Sequence, residues 1–135
     1  MADSQLTLSL PLLTSKPVVV DFDGGDLSSD AGFTLLALAD QRLQLTARLA
    51  AAIPDPRRQH QVTHSTQRLL QERTYLVAAG YPDANDANSL RKDRVLKVAT
   101  GVGPQGEDLA GQSTLSRCEH WLTLPQQWAL ARVFV

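Results

Sequence analysis

The longest helical pattern in the chain is VTHSTQRLLQERTYLVAA, residues 62–79. Apolar or small side chains recur in it every three or four residues, which is the spacing of one face of an α-helix. The members of this face are Val62, Thr66, Leu69, Leu70, Leu76 and Val77. The opposite face carries His64, Arg68, Gln71 and Tyr75. The pattern therefore predicts one long amphipathic helix over residues 62–79.

Arg73 is the exception in this helix, because the helical period places it inside the apolar face. A charge on a buried face needs a partner of opposite sign. The nearest acids in the sequence are Asp83 and Asp86, just past Gly80. We therefore expect a structural ion pair between Arg73 and Asp83 or Asp86.

Shorter helical patterns flank the long one on both sides. Before it, Ser28 or Ser29 can cap a helix, and Thr46 can cap a second that runs through Ile53. The buried stripe expected for the first comprises Leu35, Leu36, Leu38, Ala39 and Leu43. After the long helix, two short helices are expected near 84–91 and 93–100, the second capped by Asp93 and closed by Gly101.

Two further helices are expected near the end of the sequence. One begins at Ser113 or Thr114, with Leu115, Cys118 and Leu122 inward, and the other begins at Pro125. The sequence stops at Val135 within an apolar pattern, so we expect a truncated domain.

The first 27 residues have a different pattern. Leu6–Leu10 and Pro17–Phe22 are two short apolar runs around a turn rich in Pro, Thr and Ser. The expected fold class is mainly α, with a short N-terminal β-hairpin or strand pair in residues 1–27 and a helical domain in residues 28–135.

Composition narrows the class of protein. A chain of 135 residues with 43% hydrophobic and 20% charged residues can form one folded unit. Cys118 is the only cysteine, which excludes an internal disulfide and suits a cytoplasmic protein. The start lacks the basic residues of a signal peptide, and the apolar run Leu6–Leu13 is too short to cross a membrane. We expect no contact with a membrane.

Positive charge is concentrated in the middle of the chain. Residues 1–40 hold six acids and one lysine, whereas residues 41–100 hold ten basic residues and five acids. Cations that share a face can neutralise the phosphates of a nucleic acid. The candidate set is Arg57, Arg58, Arg68, Arg91, Lys92, Arg94 and Lys97.

A second candidate for nucleic-acid contact is the segment that contains Ser113, Thr114, Ser116 and Arg117. Hydroxyls and an arginine at a helix start can reach phosphates and base edges, as in recognition helices of DNA-binding domains. Only three residues separate Ala110 from Thr114, too few for a standard helix-turn-helix. From residue chemistry alone, a locally capped helix without a DNA role is an equal alternative.

Two enzymatic alternatives and one metal site also arise from short motifs. Asp21 and Asp23 follow an apolar strand, as in Mg²⁺-dependent phosphatases, although the other parts of such a site are missing. His60 and His64 have the spacing of a helical zinc pair, but Gln61 stands where the glutamate of a zinc protease would be, and His120 is distant. Cys118 has no neighbouring catalytic motif and is expected to be a buried structural thiol.

Three blocks of the sequence resemble one protein family. They are VDFDGGDLSSDAG at residues 20–32, GYPDANDANSLR at residues 80–91 and GEDLAGQSTLSR at residues 106–117. In this order they resemble the N-terminal region of DDE-type insertion-sequence transposases of the thirteen-eighty group. Gly111 and Cys118 depart from the residues expected at their positions.

The resemblance implies a DNA-binding-like helical domain that recognises the terminal inverted repeats of a mobile element in double-stranded DNA. It also implies a following ribonuclease-H-like domain, in which two Asp and one Glu bind Mg²⁺, beyond the last residue of this sequence. No catalytic residue, metal ligand or cofactor is therefore expected in these 135 residues. A homodimer and a decayed, inactive reading frame both remain open.

Overall fold

A computed structural model describes residues 6–8, 15–20, 28 and 30–135. Strands β1 (Leu6–Leu8) and β2 (Val18–Val20) pair antiparallel, with Leu6 opposite Val20. The β-branched valines of β2 favour this extended backbone. The expected strand pair is thus present and is shorter than the two apolar runs.

Helices form most of the described chain, so the mainly α fold class is confirmed. The helices are α1 (Phe33–Leu43), α2 (Leu45–Ala52), α3 (Thr66–Ala78), α4 (Asp86–Leu90), α5 (Arg94–Ala99), α6 (Gln112–His120) and α7 (Leu124–Arg132). A 3-10 turn, Gln59–Gln61, lies between α2 and α3.

Side-chain caps explain several helix boundaries. Ser65 accepts a hydrogen bond from the Arg68 amide at the start of α3, and Asp93 accepts one from the Leu96 amide at the start of α5. Gly101 ends the α5 region with a φ of 79°, which glycine adopts without strain. The cap at Asp93 and the stop at Gly101 are therefore confirmed.

The core lies where α3 packs against α2 and α6, and where α1 packs against α5. Its largest fully buried apolar side chains are Phe33, Leu69, Leu76, Leu96, Leu109 and Leu115. Leu115 and Cys118 face inward from α6, as the sequence predicts. Burial of these side chains supplies the main driving force for folding.

The buried face of α1 is not the expected one. Phe33, Ala37 and Asp40 are buried, whereas Leu35 and Leu43 are 69% and 64% exposed. The leucines of this segment surround the helix, so their spacing alone does not fix which face is inward. The aromatic ring of Phe33 is buried in the core, where it contacts the ring of Tyr81. The side of α1 that carries Phe33 therefore faces inward.

The long helix is shorter than expected and is rotated about its axis. It begins at Thr66 instead of Val62, Tyr75 is buried, and Val77 is 49% exposed. Tyr75 was expected on the polar face, but its hydroxyl donates to Asp40 Oδ2 at 2.9 Å. A tyrosine whose hydroxyl has a partner can be buried at little cost.

The predicted partners of Arg73 are wrong. Arg73 Nε donates to Glu119 Oε1 of α6 at 2.6 Å, and the pair involves neither Asp83 nor Asp86. Asp83 instead accepts a hydrogen bond from the Asn85 amide within its own turn. Asp83 and Asp86 are near α3 in the sequence, whereas packing brings α6 with Glu119 alongside it.

Candidate nucleic-acid interface

A groove of about 520 Å³ lies between the segment that follows α2 and helix α6. We call it the arginine groove, because Arg57, Arg58 and Arg117 line it. Residues 61–64 form one side, and Thr114 and Trp121 form the other. Packing thus brings together cations that are about 60 positions apart in the sequence.

Arg57 is fixed in place by several partners. Its Nε and Nη2 atoms donate to the two carboxylate oxygens of Asp55, at 2.8 and 2.6 Å, and Nη1 donates to the His64 carbonyl oxygen at 2.8 Å. Its guanidinium carbon also lies 4.8 Å from the ring centroid of Trp121. The Arg57 guanidinium lowers the pKa of Asp55 well below its usual range. Arg57 therefore builds the groove wall and does not offer the phosphate contact that the sequence suggested.

Arg58 differs from Arg57 in its exposure and in its side-chain contacts. It is exposed, and its side chain has no hydrogen bond or ion pair within the described residues. Arg117 is also exposed; its Nε donates to the Ser113 carbonyl oxygen and its Nη2 to Thr114 Oγ1. Neither arginine has a carboxylate partner in the part of the chain described here, so both retain their charge for a ligand.

The start of α6 lies beside the groove and is fixed by contacts to α4. Asn88 Oδ1 accepts a hydrogen bond from the Gln112 amide at 3.0 Å. A Cβ atom at Gly111 would be 3.1 Å from Asn88 Oδ1 and 3.7 Å from Arg91 Nη1, so glycine permits this close approach. The exposed Ser113 and the partly exposed Thr114 follow directly. Arg91 is thus next to the helix start.

The other residues predicted to contact DNA differ in exposure and in their partners within the protein. Lys97 is 5% exposed, and its Nζ donates to the Gly106 carbonyl oxygen and to Asp108, so it cannot reach DNA as predicted. Arg68 pairs with Glu107 at 3.2 Å, and Arg91 lies 3.7 Å from Asp108. Lys92 and Arg94 are exposed near the start of α5. The carbonyl oxygen of Ser116 lies 2.7 Å from His120 Nδ1.

Two buried nitrogen atoms of the groove lining have no hydrogen-bond partner among the described residues. They are Trp121 Nε1 and His64 Nδ1. Burial lowers the pKa of His64, which favours the neutral form of its imidazole. Unsatisfied buried polar atoms are uncommon in folded proteins and often mark a missing water or ligand.

Glu72 supports the segment that leads into α6, and the sequence does not predict this role. It is fully buried on α3, and its Oε2 accepts a hydrogen bond from the Ala110 amide at 3.0 Å, just before α6. Burial raises the pKa of Glu72 to about 8. Its position between Gln71 and Arg73 gives no sign of burial in the sequence.

The phosphatase, zinc-site and cysteine hypotheses have different outcomes. Asp21 and Asp23, the phosphatase candidates, lie outside the described residues. His60 lies in the 3-10 turn and His64 in the following loop, so they do not share a helix. The described residues contain no group of three His, Cys, Asp or Glu side chains placed to hold a metal ion. Cys118 is buried, as predicted, and burial raises its thiol pKa to about 11.

The chain matches the model of a known protein family. The sequence profile of the family described as transposase DDE domain group 1 matches residues 10–135. No curated protein and no solved structure matches the chain. No helix in the described ranges is both long and apolar enough to cross a membrane.

Proposed function

The chain belongs to the family described as transposase DDE domain group 1, and from this membership we propose that its helical part binds double-stranded DNA. The contact surface is the arginine groove together with the start of α6. The observation that carries the proposal is the convergence on one groove of Arg58 and Arg117, two exposed arginines that have no carboxylate partner among the described residues.

Phosphate contacts account for affinity in this proposal. A guanidinium presents five N–H donors in a planar fork that matches two phosphate oxygens. Arg117 uses two of its five N–H donors within α6, one on Nε and one on Nη2, so both N–H groups of Nη1 and the second of Nη2 remain for a ligand. The Ser113 hydroxyl at the helix start and the exposed Lys92 extend the contact.

Recognition of the element's ends is assigned to α6. The terminal inverted repeats are the DNA that a transposase must distinguish from other sequences. Arg117 is the described side chain best suited to read a base, because it projects from a surface helix and an arginine can contact guanine with two hydrogen bonds. Arg58 and Lys92 then contact all sequences alike.

The described residues do not fit the two-metal site that the DDE resemblance implies. Such a site needs carboxylates that converge on two cations. Most described carboxylates already have partners: Asp40 with Thr46, Asp55 with Arg57, Glu107 with Arg68, Asp108 with Lys97 and Glu119 with Arg73. We derive no catalytic step from them and expect the isolated chain to leave DNA uncut in Mg²⁺.

Fluorescence anisotropy with labelled duplexes tests the proposal. One duplex carries the element's own end, and the other has the same composition in random order. We expect salt-sensitive binding with dissociation constants of roughly 10⁻⁴–10⁻⁶ M, the range of non-specific protein–DNA contacts. Arg117→Ala should reduce the preference for the end sequence by about 1–3 kcal/mol.

The control is Arg42→Ala, which removes an exposed arginine of α1 that does not line the groove. It should leave the preference unchanged. The binding stoichiometry distinguishes one copy from a homodimer. Absence of binding to both duplexes at low salt would contradict the proposed function.

A further inference from the structure

We propose that the arginine groove binds a single nucleotide unit that is not stacked within a duplex, with its base against the Trp121 wall and its phosphate on Arg58 and Arg117. This inference rests on the proposed DNA binding and specifies the ligand of one part of that surface. The ligand could be a free nucleotide or an unpaired nucleotide of a DNA chain, and both present the same chemistry.

The size and shape of the groove support a small ligand. Its volume is about 520 Å³, within the range of roughly 300–1,000 Å³ that is usual for sites of small molecules. A paired base is stacked between its neighbours and exposes only its edges in the DNA grooves. A whole base can therefore enter a concave site only when it is outside the stack.

The wall of the groove is suited to the flat face of a base. Trp121 and Val62 line it, and the Arg57 guanidinium is held near the indole by the two oxygens of Asp55. Bases stack on aromatic rings and on guanidinium planes with little dependence on sequence. Because Asp55 offsets the charge of Arg57, this wall attracts a planar group more than a phosphate.

The charge needed for a phosphate comes from other residues of the same groove. Arg58 and Arg117 both line it, and neither pairs with a carboxylate of the described chain. Thr114 adds a hydroxyl on the same side. A planar wall and two cations within one groove correspond to the two parts of a nucleotide.

Unsatisfied atoms of the lining give independent support. Trp121 Nε1–H and His64 Nδ1 are buried without a partner among the described residues. Base edges offer acceptors and donors that can satisfy such atoms. A ligand that was only a phosphate would not need the tryptophan, so these atoms favour a ligand with a base.

The chain contains two tryptophans, and this allows a direct optical test. Trp128→Phe removes the other tryptophan, which is 62% exposed on α7 and does not line the groove. Trp121 then reports alone. The probes are dAMP, inorganic phosphate, a hairpin with a fully paired stem and a loop made of a non-nucleotide linker, and the same hairpin with one unpaired adenine in its stem.

We expect dAMP to quench Trp121 fluorescence with saturation, and inorganic phosphate to do so little. Quenching by the hairpin with the unpaired adenine, but not by the paired one, identifies DNA as the source of the nucleotide. Quenching by dAMP without a difference between hairpins identifies a free nucleotide. Absence of quenching by dAMP and by both hairpins, while the paired hairpin still binds by anisotropy, overturns this inference and leaves the proposed function intact.

Substitutions in the same Trp128→Phe background test the phosphate contacts. Arg58→Ala and Arg117→Ala should each weaken dAMP binding about tenfold, because each removes a charge-assisted hydrogen bond. Arg42→Ala should leave it unchanged. An equal loss in all three variants would show that only net charge matters and would overturn the assignment. Melting temperatures confirm that the variants remain folded.

Discussion

Two polar regions of the molecule differ in how completely their groups are paired. In the first, Asp40 of α1 accepts hydrogen bonds from the Thr46 amide, the Thr46 hydroxyl and the Tyr75 hydroxyl, and all three residues are buried. In the second, the arginine groove, Arg58 and Arg117 are exposed without carboxylate partners in the described chain. The first region holds α1, α2 and α3 together, and the second offers charge to a ligand.

The difference shows how to separate structural polar groups from binding groups. A buried polar group that loses its partner destabilises the protein, because its desolvation is no longer offset. Truncation of an exposed cation that has no partner should leave the free energy of unfolding unchanged. Such a cation is not needed for folding. Arg57 and Arg58 show the same distinction. They are adjacent in sequence, but among the described residues Arg57 has several partners and Arg58 has none.

The largest effect is expected in the Asp40 region. Asp40→Ala leaves two hydroxyls and one amide without an acceptor in the protein interior, so it should lower the free energy of unfolding by about 3 kcal/mol or more. Urea-induced unfolding measures the change. Arg58→Ala is the matched comparison and should change it by less than about 0.5 kcal/mol. Similar losses in both variants would remove the distinction between the two regions.

The pH dependence of stability extends the comparison to Glu72. This side chain is buried, and among the described residues it has one hydrogen-bond donor and no cation as a partner. Its pKa is about 8 in the folded protein, against 4.5 for an ordinary glutamate. Between these values the folded state keeps the proton that the unfolded state has lost, so stability is full below pH 4.5 and falls as pH rises toward 8. The loss should approach about 1.4 kcal/mol per pH unit.

Unfolding of wild type and Glu72→Gln at pH 5.5 and pH 7.5 measures this loss. The wild type should lose more stability than the variant, by about 1–3 kcal/mol. The variant keeps the shape of the side chain without its ionisation. Parallel pH profiles would show that Glu72 is accessible to water.

Arg73 and Glu119 should give a smaller effect. A fully buried pair loses about 3–5 kcal/mol when one partner is removed. These side chains are 24% and 46% exposed, so Arg73→Ala should cost about 1 kcal/mol, nearer to a surface pair. Glu119→Gln should cost about as much, whereas Asp83→Asn should have no effect on the pair. A larger effect of Asp83→Asn than of Glu119→Gln would support the pairing expected from the sequence.

Local signals allowed much of the fold to be predicted, whereas the site depends on contacts between distant segments. Asp93 and Gly101 define their helix ends by chemistry within a few residues, and both were identified correctly. Glu72 and Lys97 were not recognised as buried, because their partners, the Ala110 amide and Asp108, belong to a later segment. Trp121 is not a member of the predicted inward set Leu115, Cys118 and Leu122, and it joins the groove only when the end of α6 packs beside residues 57–64.

The salt dependence of duplex binding tests the central claim: the groove arginines that have no carboxylate partner in the described ranges contact DNA, whereas the arginines that pair with a carboxylate do not. Arg58→Ala should lower the slope of log K against log salt by about 0.9, the loss of one phosphate contact. Arg68→Ala should leave the slope nearly unchanged, because Glu107 already neutralises Arg68. An unchanged slope for Arg58→Ala, or an equal loss for Arg68→Ala, would contradict the account.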